Sequence, residues 1–166
     1  QFIGFYAEND MTNSYRTLEI ADTKYLLVTL DYGASDAVLN WAGDIIDSYA
    51  DHKVIITTHA YLYRDGTTLD SGDVCPPATN GGYNNGDHMW DKFVSKYENI
   101  ILVLSGHDPT DDVVVRQDLG VNGNTVTQML IDHQYTDRDL GGNGMVTLLH
   151  FSEDGHTFEV ECYSTV

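Results

Sequence analysis

A chain of 166 residues, 42% of them apolar, is long enough for one domain with a buried core and too apolar for wholesale disorder. Its 26 acidic residues against 8 basic ones give a net charge of −18. That balance excludes nucleic acid and anionic membrane surfaces as expected partners, and it disfavours anionic substrates unless a metal ion or a local positive group reverses the field.

Up to about Ser14 the chain is polar and irregular. Tyr15 to Ile20 alternates weakly, as a strand does, and Asp22-Thr23 reads as a turn. Lys24 to Leu30 (KYLLVTL) is too short and too apolar for a surface helix and reads as a buried strand, ending at Asp31-Tyr32-Gly33. Ser35 is an expected N-cap. Val38, Leu39, Ala42, Ile45, Ile46 and Tyr49 follow at helical spacing and form one apolar stripe. Lys53 to Thr58 is the next strand. A loop from Tyr61 to about Asn85, rich in Gly, Asp, Pro and Asn, is long enough to expect a functional role. Asp87 to Tyr97 is expected as a helix with Met89, Trp90, Phe93, Val94 and Tyr97 inward, and Ile100 to Leu104 as a third buried strand.

Strand, helix, strand, helix, strand implies parallel strands with right-handed crossovers. After Gly106 the segments Val113 to Gln117, Thr125 to Ile131, Met145 to Phe151 and Phe158 to Tyr163 are β in character, separated by turn signals at Asn122-Gly123, Gly141-Gly142 and Asp154-Gly155. With no helix between them they are expected to pair antiparallel. The expected fold class is α/β: one domain over residues 1–166, a layered α/β sandwich with mixed sheets, parallel strands in the first part and antiparallel strands in the second.

Two buried strands end in histidine: VIITTHAYLY (54–63) puts His59 past its apolar run, and ILVLSGHDP (101–109) puts His107 past its own. In open α/β sheets, ligands bind beyond the carboxyl ends of parallel strands, where Asp31 also falls. Imidazole suits Zn, Mn or Fe, and carboxylate suits harder ions. A single histidine in this place reads first as a strand cap bonded to main chain; the pair at equivalent positions brings the metal reading level with it. Tyr61, Tyr63 and Arg64 follow His59 and are expected at the mouth of the cleft, where Arg64 would pair with a phosphate or else with Asp65 or Asp70. Asp65, Asp70, Asp73 and Asp87 offer oxygen ligands for Ca²⁺, though not at EF-hand spacing, and equally make a solvated loop. His88, His133, His150 and His156 are expected to be structural or exposed, Trp41 and Trp90 to be packing residues, and Asp111-Asp112 an acidic turn. Cys75 and Cys162, with no CxxC spacing, pair or stay inert. Ser105, two residues before His107, keeps a metal-free carboxylesterase open; there is no Gly-x-Ser-x-Gly elbow, P-loop or dinucleotide-binding glycine pattern.

TTHAYLY and SGH, each closing a buried strand, with KYLLVTLDYG and the NNGDHMWDKF helix around them, resemble the last two blocks of the calcineurin-like metallophosphoesterases over roughly residues 13–152. The resemblance implies a four-layered α/β sandwich with a two-metal centre, and cleavage of phosphomonoesters or phosphodiesters by a metal-bound hydroxide. It implies His59 and His107 as ligands of a divalent metal (Mn, Zn, Fe or Ca) and a small-molecule phosphoester as substrate. The family's second histidine in the Gly-His-x-His block falls at Pro109, which has no ligating side chain; Asp108 is the nearest substitute oxygen donor. The Asp-x-His, Gly-Asp and Gly-Asn-His blocks, which would precede Asn13, have no match. Asp31 and Asp108 are therefore the remaining catalytic candidates. The expectation is a domain truncated at its N-terminal side, bacterial and extracellular or cell-surface, with a sheet edge open to homodimerisation. The alternative is a catalytically incompetent scaffold or binding module.

Overall fold

A computed structural model describes residues 2–20, 22–134, 142–153 and 157–166. Seven strands form one mixed sheet in the order β1-β2-β3-β4-β5-β7-β6: β1 (Phe2–Ala7), β2 (Asp10–Ile20), β3 (Thr23–Thr29), β4 (Lys53–Thr57), β5 (Ile100–Ser105), β6 (Val114–Leu119) and β7 (Thr125–Leu130). Helix α1 (Asp36–Ser48) joins β3 to β4, and α2 (Gly86–Lys92) lies between β4 and β5. Strands β8 (Met145–Phe151) and β9 (Phe158–Ser164) form a separate antiparallel pair. The protein is therefore mixed α/β. No helix among the described residues is long and apolar enough to cross a membrane.

The parallel register of β3, β4 and β5 follows the expectation, with Leu26 opposite Val54 and Ile56 opposite Val103. Alternation in the strands sorts the core into two faces. Leu26, Val28, Val54, Ile56, Val103 and Val126 pack with Val38, Leu39, Ala42 and Ile46 of α1 and with Met89 and Phe93. Tyr25, Ile55, Leu102 and Met129 form a second cluster, against which Leu149, Phe151 and Phe158 of the β8–β9 pair are packed. Ser35 caps α1 as expected, its Oγ accepting from the Val38 amide at 3.3 Å.

Three expectations need correction. The opening is ordered: β1 pairs antiparallel with β2, which starts at Asp10, and the chain reverses through Asn9 at φ +62°. Packing from a distance supplies the reason, since the Tyr6 and Tyr15 rings lie 5.6 and 6.1 Å from that of Trp41 on α1. The expected helix from Asp87 to Tyr97 stops at Lys92, because Phe93 turns to φ −136°, ψ −70° and a 3-10 turn takes over at Val94–Lys96. Strand β7 pairs antiparallel with β6, as expected, but it also pairs parallel with β5, which the expectation left out. The chain leaves β5, runs back down β6 at the sheet edge, and re-enters between the two as β7, so a hairpin performs a crossover without a helix. Thr125–Leu130 thus belongs to the parallel set. The Asp154-Gly155 turn, Gly141 and His156 lie outside the described residues.

A few of the many acidic groups are paired with a basic side chain. The Lys24 ammonium donates to Asp51 at 2.7 Å, and that bond first, then His52, lowers the Asp51 pKa from 3.8 to about 2. A carboxyl whose folded pKa is depressed stabilises the fold above its unfolded value and loses that contribution as pH falls through the folded one. The Asp51 contribution is thus expected to vanish between about pH 4 and pH 2. A carboxyl-detected NMR titration of Lys24→Met should show the Asp51 midpoint rising toward the ordinary carboxylate value.

Candidate functional site

The site stands where three parallel strands end. β3 runs out into Leu30-Asp31-Tyr32, β4 into Thr58-His59, and β5 into Gly106-His107. The chain steps directly from one strand end to the next: the Thr58 hydroxyl donates to the Asp31 carbonyl at 3.1 Å, and the Gly106 amide donates to the His59 carbonyl at 3.0 Å. Because β4 and β5 are neighbours, their two histidines meet. His59 Nε2 and His107 Nδ1 are 3.1 Å apart, with ring centroids 4.9 Å apart. His107 takes φ +76°, in the left-handed region that few non-glycine residues occupy, and this turns its ring back toward His59. Both strands enter the sheet from the same side and both helices pack on one face, so strand adjacency, and not a reversal of strand order, brings the pair together.

Burial of part of its ring lowers the His59 pKa from its ordinary value, and nearby His107 lowers it further. Asp132 acts in the opposite sense and more weakly. Neutral imidazole is the form that binds a metal. Asp132 was missed in the sequence. It follows β7 as His59 follows β4, an apolar run ending in a polar pair, Asp132-His133. The rule that ligands gather past the ends of parallel strands reaches Asp132 only once β7 is known to pair parallel with β5.

The other candidates scatter. One Asp31 carboxylate oxygen, Oδ1, is buried without a hydrogen-bond partner among the described residues, while the Asp31 amide donates to Asn13 Oδ1 at 3.0 Å. Asp108 is 4% exposed and committed to Arg64: its Oδ2 accepts from the Arg64 amide at 2.7 Å and from Nε at 2.9 Å, and its Oδ1 accepts from the same guanidinium. Arg64 therefore pairs with Asp108, not with Asp65 or Asp70, and stacks beside the Tyr63 ring, 5.3 Å from its centroid. Tyr61 is fully buried in the helix-side core, and burial pushes its hydroxyl pKa well up, so Tyr63 and Arg64 are the two of this trio that reach the surface.

Asp65 and Asp70 cap turns of their own loop, accepting from the Thr67 and Gly72 amides. Among the described residues no group of three or more His, Cys, Asp or Glu side chains is arranged to hold a metal ion. Ser105 is buried, its hydroxyl donating to the Met129 carbonyl at 3.2 Å, and does not present a nucleophile. Cys75 and Cys162 are both free and exposed. His133 meets the Thr147 hydroxyl at 3.2 Å, and His150 meets Glu161 at 2.9 Å.

No protein-family model matches the chain. Over 97% of its length it is 26% identical to the uncharacterized protein YvnB of Bacillus subtilis (strain 168). The match covers 11% of that protein, so the chain spans about a tenth of the length of the relative it matches.

Proposed function

We propose that this segment carries the histidine side of a metal-dependent phosphoester hydrolase of the calcineurin-like metallophosphoesterase kind. His59 and His107 are two ligands of one divalent cation, and Tyr63 and Arg64 stand at the rim where a small phosphoester would lie. One observation carries the reading: two imidazole nitrogens from adjacent parallel strand ends converge to 3.1 Å. Two nitrogens about 2.0–2.1 Å from a tetrahedral zinc stand roughly 3.3 Å from each other. The pair therefore fits as two ligands of such an ion. It does not fit as a whole site, since about three protein ligands are usual in a catalytic one. Asp31, with its orphaned Oδ1, and residues outside this segment are the sources of the remainder in this reading.

When bound, the cation would polarise the phosphoryl oxygen and lower the pKa of a water. The chain's own residues favour the neutral form of His59 and aim both imidazoles at one point, and Asp108 fixes the Arg64 guanidinium, whose side chain stays 50% exposed, for a phosphate oxygen. A surface of net −18 makes such local positive groups necessary for an anionic substrate. The layered sandwich belongs to the same proposal, with β8 and β9 as the start of a second sheet over the cluster around Tyr25 and Leu102. An extracellular or cell-surface site of action in a bacterium belongs to it as well, supported by the acidic composition.

The test is hydrolysis of bis(p-nitrophenyl) phosphate and p-nitrophenyl phosphate by the full-length gene product, with Mn²⁺, Zn²⁺ or Fe²⁺ and after chelation. Activity is expected that needs the metal and is lost in His59→Ala and His107→Ala. Hydrolysis untouched by chelation, or intact in both variants, overturns the reading. Self-association through a sheet edge is proposed too. Among the described residues β1 and β6 each pair on one side only, and β6 exposes Val115 and Leu119. Sedimentation analysis should show concentration-dependent dimers that Val115→Lys abolishes.

A further inference from the structure

The long loop after β4 returns to the histidine pair at the main chain of Cys75. Its carbonyl oxygen accepts two hydrogen bonds, from the Tyr32 hydroxyl at 2.9 Å and from His107 Nε2 at 3.0 Å. A carbonyl oxygen has no proton to give, so His107 Nε2 carries the hydrogen. In a neutral ring that leaves Nδ1 with a free lone pair, and Nδ1 is the atom that faces His59. With no ion bound, the proton between the rings therefore belongs to His59 Nε2; an ion that takes His59 as a ligand at that atom displaces it, so that the remaining ring proton sits on His59 Nδ1. The Cys75 carbonyl, and no side chain, decides which nitrogen of His107 is open to an electrophile.

Tyr32 secures that carbonyl. Its hydroxyl shares the same oxygen, and its ring stands 5.6 Å from the His59 ring and 5.4 Å from the His107 ring, centroid to centroid. Cys75 itself sits at φ +53°, a conformation that a non-glycine residue holds only when its surroundings impose it. The two hydrogen bonds at its oxygen are such an imposition. We propose that Tyr32 is a positioning residue: it holds the Cys75 carbonyl against His107 Nε2 and so keeps Nδ1 of His107 as the free base facing His59. The orientation stands by itself; its consequence for a cation rests on the reading of His107 as a metal ligand.

Long-range proton–nitrogen NMR of the imidazoles, recorded where the rings are neutral, tests the orientation without any metal. The wild-type chain should show His107 as the Nε2–H tautomer. Tyr32→Phe, which keeps the ring and removes the hydroxyl, should bring in the Nδ1–H form and weaken binding of Zn²⁺ alone by about tenfold, the low end of what outer-shell partners contribute. Cys75→Ser keeps the carbonyl and should change neither reading. His107 as the Nδ1–H tautomer in the wild type, or a tautomer unmoved by Tyr32→Phe, overturns the proposal. A tautomer that moves as expected while neither protein takes up Zn²⁺ supports the positioning role and sinks the metal-ligand reading instead.

Discussion

His59→Ala and His107→Ala are each expected to lower the affinity for Zn²⁺ or Mn²⁺ by about a hundredfold or more, because removing a partner one shell further out already costs 10–100-fold. The two losses should not add. Once one imidazole is gone the other cannot hold the ion alone, so the double variant should resemble either single one. Elemental mass spectrometry of the purified proteins and calorimetric titration with each ion give the measurement. Folding should be almost untouched in His59→Ala, since the His59 side chain lies at the surface and surface truncations generally cost within about 0.5 kcal/mol. Metal held equally by all forms would mean that the ion sits elsewhere. A large drop in thermal stability would mean that the pair serves the fold, with the contact between His59 and His107 as its purpose.

The largest effect on stability is expected from Gly86→Ala, at the first residue of α2. A Cβ there would stand 1.9 Å from the Tyr61 carbonyl oxygen, 2.8 Å from the Tyr61 carbonyl carbon and 3.0 Å from the Leu69 amide nitrogen. All three atoms are main chain, and the Tyr61 carbonyl also accepts the Leu69 amide at 2.9 Å, so nothing can swing aside. Alanine gains up to about 1 kcal/mol in helix propensity. Overpacking against fixed atoms costs about 3 kcal/mol or more and wins. Against a total stability of about 5–15 kcal/mol, chemical denaturation should show a large fall in the midpoint. Gly43→Ala is the contrast. Its Cβ would meet the Tyr97 hydroxyl at 2.0 Å, the far end of a side chain that can turn away, so its cost should be far smaller. Equal losses in the two variants would refute this account of Gly86.

Gly86 bears on the site because it presses α2 against the Tyr61–Leu69 segment. Tyr61 anchors that segment in the core, and three residues later Arg64 emerges to meet Asp108. The rim of the site is thus set by packing that neither Tyr63 nor Arg64 reveals in the sequence.

Local patterns were legible where one element supplied its own signal. KYLLVTL and the run Ile100 to Leu104 declared themselves because burial on both faces of a strand leaves an unbroken apolar run, and the stripe from Val38 to Ile46 because burial of one helix face imposes a period. That His59 and His107 end such strands was legible for the same reason. What escaped was long-range. The fate of Thr125–Leu130 depended on whether the chain would insert it between β5 and β6, which no local period encodes. The ordering of Phe2–Ala7 depended on Trp41, and the break at Phe93 on a turn of main chain inside an unbroken apolar pattern.

The sequence by itself therefore determined the parallel β3-β4-β5 core, the helix between its first two strands, and the delivery of a histidine to each of two strand ends, because burial and strand direction act within a few residues. Only the tertiary structure decided that the two imidazoles touch, that Arg64 reaches Asp108 across 44 residues, and that the Cys75 carbonyl selects the exposed nitrogen of His107 across 32. Those contacts join parts of the chain that come together only when the sheet assembles, and hydrogen-bond geometry between distant residues leaves no period in the sequence for a reader to find.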